Sequence, residues 1–186
     1  MVSFTVWLIL TIPAEFGGTR PGQISIEERD CNHEHTVSEL AAQNTDNAWI
    51  MRFGLFSLGA ATVLGYYRGR RKYNVFFLSF GIFIALSGIL PHKPIIQDRM
   101  YSELLDQLHS VCASVGGFSA VAGFVMKAVQ SKSDARKLVY ASIAGLYTVL
   151  PIAMFAIPEF QGLFQRIILG SFILWVLIDN PAHGDA

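Results

Sequence analysis

Charge is scarce in this sequence, and long stretches have none. Asp, Glu, Lys and Arg make up 15% of the 186 residues. Nothing from Asn74 to Pro91, or from Ser110 to Met126, carries a formal charge. Runs of about 18 or more uncharged, mostly apolar residues are what a helix needs to cross a ~30 Å hydrocarbon layer, whereas a helix in a water-soluble core rarely exceeds about a dozen. A water-soluble single-core domain is therefore a poor fit. The alternation of apolar and polar residues that a membrane β-barrel strand needs is missing as well. Of the two backbone arrangements that satisfy their hydrogen bonds in lipid, the helical one remains.

Missing motifs narrow the chemistry. Ser38, beside Glu39, has no G-x-S-x-G elbow around it. No H-E-x-x-H and no close pair of histidines on one helix announces a metal site. The only cysteines are Cys31 and Cys112; both fall on one predicted side of the membrane, where a disulfide is feasible and two free thiols are the alternative. No span carries a charge at mid-depth, which places a transporter last among the candidate functions. Repeats, low-complexity segments and interdomain linkers are absent, so residues 1–186 read as one membrane domain.

What is present is a series of apolar runs. The shortest, 2–13, lacks the basic start and small-residue cleavage site of a signal peptide, and a short membrane helix is expected there. Residues 16–47 are the one long polar stretch, turn-rich at Gly17, Gly18, Pro21 and Gly22, then acidic through Glu27, Glu28, Asp30 and Glu34. Within it, Thr36-Val37-Ser38-Glu39 has the form of a capping box that would begin a short surface helix over 37–43. Further spans are expected at 49–67, with Asp46 or Asn47 as N-cap, and at 74–90, stopping at Pro91. The remaining spans are expected at 98–130, at 135–157 ended by Pro158, and at 160–178 ended by Asp179 and Pro181. At 1.5 Å per residue the 98–130 helix would be about 48 Å long, so its first turns should project into water. The expected fold is all-α, a polytopic transmembrane bundle of about six helices.

The formal net charge is zero, but the sum conceals a segregation. Arg68, Arg70, Arg71 and Lys72 crowd one short loop, and Lys127, Lys132, Arg136 and Lys137 flank the loop two spans later on the same side. The positive-inside rule puts these loops, and with them both termini, in the cytoplasm. Orientation thus explains the basic cluster, and no nucleic-acid partner is expected. All acids except Asp134, Asp179 and Asp185 fall on the outer side. Small residues at Gly81, Gly88, Gly116–Ala120, Ser119–Gly123 and Ala141–Gly145 suit close helix packing in lipid. Trp49, Tyr66, Tyr67, Tyr73 and Tyr101 fall near span ends, as interfacial anchors do.

Candidate chemistry gathers on the outer side. His33, His35, His92 and His109 all fall there, and Glu103, Asp106, Gln107 and Ser110 share one helix face by spacing. His92 and His109 lie on spans joined by a short loop, so they can approach each other. With Asp106, Glu39 or His35 they form a candidate site for zinc or a related divalent ion. The bland reading is a solvated helix end. His109 lies where its helix enters hydrocarbon, a costly depth for an ionisable group, which favours an inward-facing side chain. Arg52 and Arg166, near the outer ends of their spans, are expected to snorkel, to pair with an acid such as Glu39 or Asp106, or to hold a lipid phosphate.

The segment His35-Thr-Val-Ser-Glu-Leu-Ala-Ala-Gln-Asn, followed by Trp49-Ile-Met-Arg-Phe-Gly-Leu, resembles the opening of the DUF998 family of small prokaryotic membrane proteins. Val37, Ser38 and Leu40 match its element before a span, and Gly54, Leu55 and Gly59 match the span itself. Gly88-Ile-Leu-Pro91 corresponds to the family's ending of the next span, and His109 to an early histidine in the following helix. The family loosely resembles the Frag1/DRAM group, which implies a link to lipid handling by analogy. The resemblance implies architecture and brings no catalytic activity.

The expected role is that of a multi-pass cell-membrane protein with a polar outward-facing pocket for a lipid headgroup or small ligand, drawn from Ser38, Glu39, Arg52, His92, Asp106, His109 and Arg166. Membrane lipids are the expected partners, with a homo-oligomer or a membrane partner protein as further ones. The alternatives are an accessory subunit and a metal-dependent lipid hydrolase or transferase using His92, Asp106 and His109. Beyond such a divalent metal, no cofactor is expected.

Overall fold

The computed structural model describes residues 37–44, 47–68, 74–94 and 100–178. The expected helix at 2–13, Cys31, His33, His35, Thr36 and Tyr73 lie outside the described residues, as do the side chains of Ser38 and Glu39. The described chain is helical: α1 (Val37–Leu40), α2 (Ala48–Tyr67), α3 (Val75–Ile89), α4 (Glu103–Gln130), α5 (Asp134–Ala156) and α6 (Gln161–Ile178), with a 3-10 turn at Pro158–Phe160 leading into α6. Among the described residues there is no strand. Four helices, α2, α4, α5 and the 3-10 turn continued by α6, are long and apolar enough to cross a membrane, and α3 is a shorter apolar helix.

Local chemistry sets the helix ends. The Asn74 side chain caps α3 by accepting from the N–H groups of Phe76 and Phe77, both at 3.1 Å. Proline then ends two helices. The residue before proline is driven out of the helical region, and Leu90 before Pro91 is extended at ψ 113°, as Ile157 before Pro158 leaves α5 at ψ 74°. Helix α4 starts at Glu103, five residues later than the expected Asp98, because Ser102 is its N-cap and accepts from the Leu105 N–H. Its 28 residues make about 42 Å at 1.5 Å per residue. The surface helix expected over 37–43 stops at Leu40. Asn47 precedes α2 in the left-handed region at φ 59° and makes no side-chain cap bond.

Each long helix packs against its neighbour in the chain, and the pairing register is antiparallel. A Cβ on Gly59 would stand 2.4 Å from the Gly81 carbonyl oxygen, and one on Gly88 would stand 2.8 Å from that of Arg52. The α2–α3 contact is therefore backbone on backbone, the close approach that small residues permit in lipid. Between α3 and α4, Asn74 Nδ2 donates to the Gly123 carbonyl at 3.0 Å, and the Ser79 and Ser119 hydroxyls bond at 2.9 Å. Gly123 lies against the ring of Phe77, 2.7 Å from a Cβ built on it. Ala141 and Gly145 depart from expectation: both are exposed, and nothing lies within 4 Å of a Cβ on Gly145.

The core sits where α3 begins and α4 and α6 end. Phe77, Phe80, Phe124, Phe172 and Trp175 are buried there, with ring centroids 4.4 Å apart for Phe80–Phe172 and 4.8 Å for Phe77–Trp175. Tyr147 brings a hydroxyl into this apolar zone and donates it to the Ile168 carbonyl at 2.7 Å, satisfying a group that would otherwise be costly in lipid. Trp49, Tyr67 and Tyr101 are exposed near helix ends, where an aromatic anchor belongs. At the opposite end of α3, the short α1 bridges α2 and α6.

Candidate functional site

A proline creates the need that the site answers. In a continuing helix the Ser87 carbonyl would accept from the N–H of residue 91. Residue 91 is proline and has no N–H. The Leu90 N–H still reaches Leu86 at 2.8 Å, and there the ladder stops. His109 of α4 supplies the missing donor: its Nδ1 lies 3.0 Å from the Ser87 carbonyl oxygen and 2.7 Å from that of Leu90. Both neighbours can only accept, so Nδ1 carries the hydrogen and donates it. A side chain from the next helix thus caps the C-terminus of α3.

His109 is 2% exposed. Its second nitrogen, Nε2, is buried with no hydrogen-bond partner among the described residues. In the neutral ring with hydrogen on Nδ1, Nε2 is a lone pair.

His92 covers this histidine. The two rings stack with centroids 5.2 Å apart and planes 28° from parallel. His92 Nδ1 faces Asp106 Oδ1, and their side chains are 19% and 18% exposed. The same carboxylate oxygen accepts from the Lys93 N–H at 2.8 Å. Asp106 and His109 stand three residues apart on α4, so one helix presents both to the segment after α3. The other members of the expected polar face, Glu103, Gln107 and Ser110, are exposed.

Gln43, which the sequence did not single out, ties the surrounding segments together. Its N–H donates to the His92 carbonyl at 2.8 Å. Its side-chain amide donates to Ser102 O at 3.0 Å and Pro91 O at 3.4 Å, and accepts from the Ser102 N–H at 2.8 Å. Asn44, at φ 55°, adds a bond from Nδ2 to Met100 O at 2.7 Å. The one signal for Gln43 is its place between the end of a short helix and the start of a span.

Among the described residues, Arg52 meets backbone carbonyls. Its Nε and Nη2 donate to the carbonyls of Ala41 and Ala42, both at 2.9 Å. The guanidinium thereby satisfies carbonyls just beyond α1 and holds the strip that carries Gln43. Arg166 lies half-buried on α6, one residue after Gln165, whose side chain accepts from the Val37 N–H. The structure therefore brings together His92, Asp106 and His109, and joins Arg52 to them through residues 41–43.

Among the described residues, no three His, Cys, Asp or Glu side chains converge to hold a metal ion. His109 Nδ1 is committed to carbonyls, while His92 Nδ1 is in ion-pair contact with Asp106 but has no hydrogen-bond partner among the described residues. Cys112, one helical turn from His109, is a buried free thiol.

The chain matches the family described as "Protein of unknown function (DUF998)" over residues 32–178. It belongs to the DUF998 family. No curated protein and no solved structure matches it. The match reaches beyond the motif-bearing segment to take in α5 and α6, and it contains every described residue of the site. In this DUF998 protein the Gly-x-x-Pro ending of α3 and the histidine of α4 are one device: the proline removes a donor and the histidine replaces it.

Proposed function

We propose that this DUF998 protein is a non-catalytic multi-pass membrane protein whose polar end, at the C-terminus of α3, binds a lipid headgroup. The observation that carries the reading is hydrogen-bonding capacity left over at the edge of an apolar bundle. Among the described residues His109 keeps a buried lone pair without a partner, and His92 and Asp106 beside it remain partly exposed. Buried polar groups in proteins are nearly always satisfied, so an open one next to an entrance calls for a partner from outside. Charge segregation supports an outward-facing position for this end, with both termini in the cytoplasm. Helix α3 supports it too. Its 15 residues span about 22 Å at 1.5 Å per residue, less than the hydrocarbon thickness, which brings the polar end within reach of headgroups.

An accessory role is the second reading, favoured by the outward-facing Ala141 and Gly145 and the exposed Leu138, Val149, Ile152 and Phe155 of α5. Native mass spectrometry in mild detergent separates the two. Lipid adducts that survive purification and are lost when His92 is replaced by Ala support headgroup binding. A lipid-free chain recovered with a stoichiometric second protein replaces that reading with the accessory one. Stoichiometric zinc in the same sample would revive a hydrolase or transferase.

A further inference from the structure

The chemistry of the two histidines specifies the ligand more narrowly, and this step rests on the headgroup reading above. His109 commits its Nδ1 to the Ser87 and Leu90 carbonyls, and His92 Nδ1 stands against the Asp106 carboxylate in an ion-pair contact without hydrogen-bond geometry. An imidazole whose Nδ1 hydrogen is given to an acceptor offers a lone pair at Nε2 while it is neutral. The Nε2 lone pair of His109, stacked under a second imidazole and beside a carboxylate, makes a place rich in acceptors. An anion is repelled by the Asp106 carboxylate beside the rings. A group with several hydrogens to donate and a positive charge to share fits each feature.

We infer that the His92–His109 stack, with Asp106, is a recognition site for a protonated primary amine, as carried by an aminated lipid headgroup or by a free small amine. The ammonium donates one hydrogen to His109 Nε2 and places its charge near Asp106. Entry is from the loop side, where His92 and Asp106 are exposed by about a fifth, and the His92 ring tilts to admit the amine. A trimethylated ammonium of equal charge has no hydrogen to donate and is discriminated against.

The test uses the full chain in lipid nanodiscs of equal phosphatidylethanolamine and phosphatidylcholine, read by native mass spectrometry of the lipids retained on release. Ethanolamine lipid should be retained about tenfold or more over choline lipid, the net worth of one hydrogen bond to a charged donor. His109→Asn is the decisive variant. Its amide nitrogen occupies the place of Nδ1 and preserves the cap on α3, while the Nε2 acceptor is gone, so the preference should fall to about one with the fold intact. Free ethanolamine at millimolar concentration, added to protein in detergent, separates the sources. If it shifts the His109 imidazole nitrogen resonance while the nanodisc shows no preference, the ligand is a free amine. Retention of both lipids alike with no response to ethanolamine overturns the amine assignment and leaves headgroup binding standing. Absence of any retained lipid overturns headgroup binding itself. A preference for phosphatidylglycerol, tested in the same format, or a preference unchanged in His109→Asn, also overturns the assignment.

Discussion

His109 Nδ1 donates to the Ser87 carbonyl oxygen at 3.0 Å, the acceptor that Pro91 leaves without a backbone partner. A residue that ends one helix and a residue inside the next are thus two halves of one hydrogen-bonding problem. The coupling has a measurable consequence. His109→Leu should destabilise the protein by about 1–3 kcal/mol, because two buried carbonyls lose their donor. Adding Pro91→Ala restores an N–H for Ser87, so the loss from His109→Leu should shrink in that background. A double-mutant cycle by thermal or chemical unfolding in detergent reads the coupling; strictly additive effects would contradict it.

Helix packing gives a second expectation. Gly59→Ala places a methyl 2.4 Å from the Gly81 carbonyl oxygen and 2.5 Å from the Ala85 nitrogen, backbone atoms that cannot rotate away. A loss of about 1–3 kcal/mol is expected from overpacking. Gly145→Ala meets nothing within 4 Å and should lie within about 0.5 kcal/mol of the parent. Comparing the two variants' unfolding midpoints checks the packing.

Gln43 should govern the order of the loop it holds. Gln43→Ala removes side-chain bonds to Pro91, Ser102 and the Ser102 N–H. Hydrogen exchange read by mass spectrometry should accelerate at Ser102 and around residues 91–94, while the aromatic core near Phe77 and Phe172 keeps its protection. Uniform acceleration throughout the chain would mean that Gln43 acts on global stability instead.

Orientation is open to a chemical test. In a Cys31→Ser background, with Cys112 buried, a membrane-impermeant maleimide should label Lys93→Cys on intact cells. Ser133→Cys, on an exposed position between α4 and α5, should react only after permeabilisation. The reverse pattern would invert the topology and put the polar end in the cytoplasm.

The sequence revealed the helices because lipid imposes a coarse demand: long uncharged runs, broken by Pro91 and Pro158, leave few alternatives. It also brought His92, Asp106 and His109 together, since a short connection and a three-residue spacing constrain where they can go. What it could not reveal were partners that have no side-chain identity. Arg52 reads as a cation seeking an acid or a phosphate, yet it donates to the Ala41 and Ala42 carbonyls, which any chain would present there. His109 likewise finds carbonyls. Gln43 is one neutral amide among polar neighbours, and only the fold gives it three segments to join. The late start of α4 turned on Ser102 acting as a cap, a role that many serines could fill. Ala141 and Gly145 have the spacing of a packing seam, but spacing does not say whether a helix stands opposite.

The ring of His109 itself offers the most direct measurement. Nitrogen NMR of the protein labelled with 15N-histidine in detergent, with the His109→Asn variant used to assign the signal, reports which ring nitrogen bears hydrogen. The expected result is a protonated Nδ1, held by Ser87 and Leu90, and an unprotonated Nε2. A ring carrying its hydrogen on Nε2 alone could not cap α3, and would contradict both the cap and the acceptor site built on it.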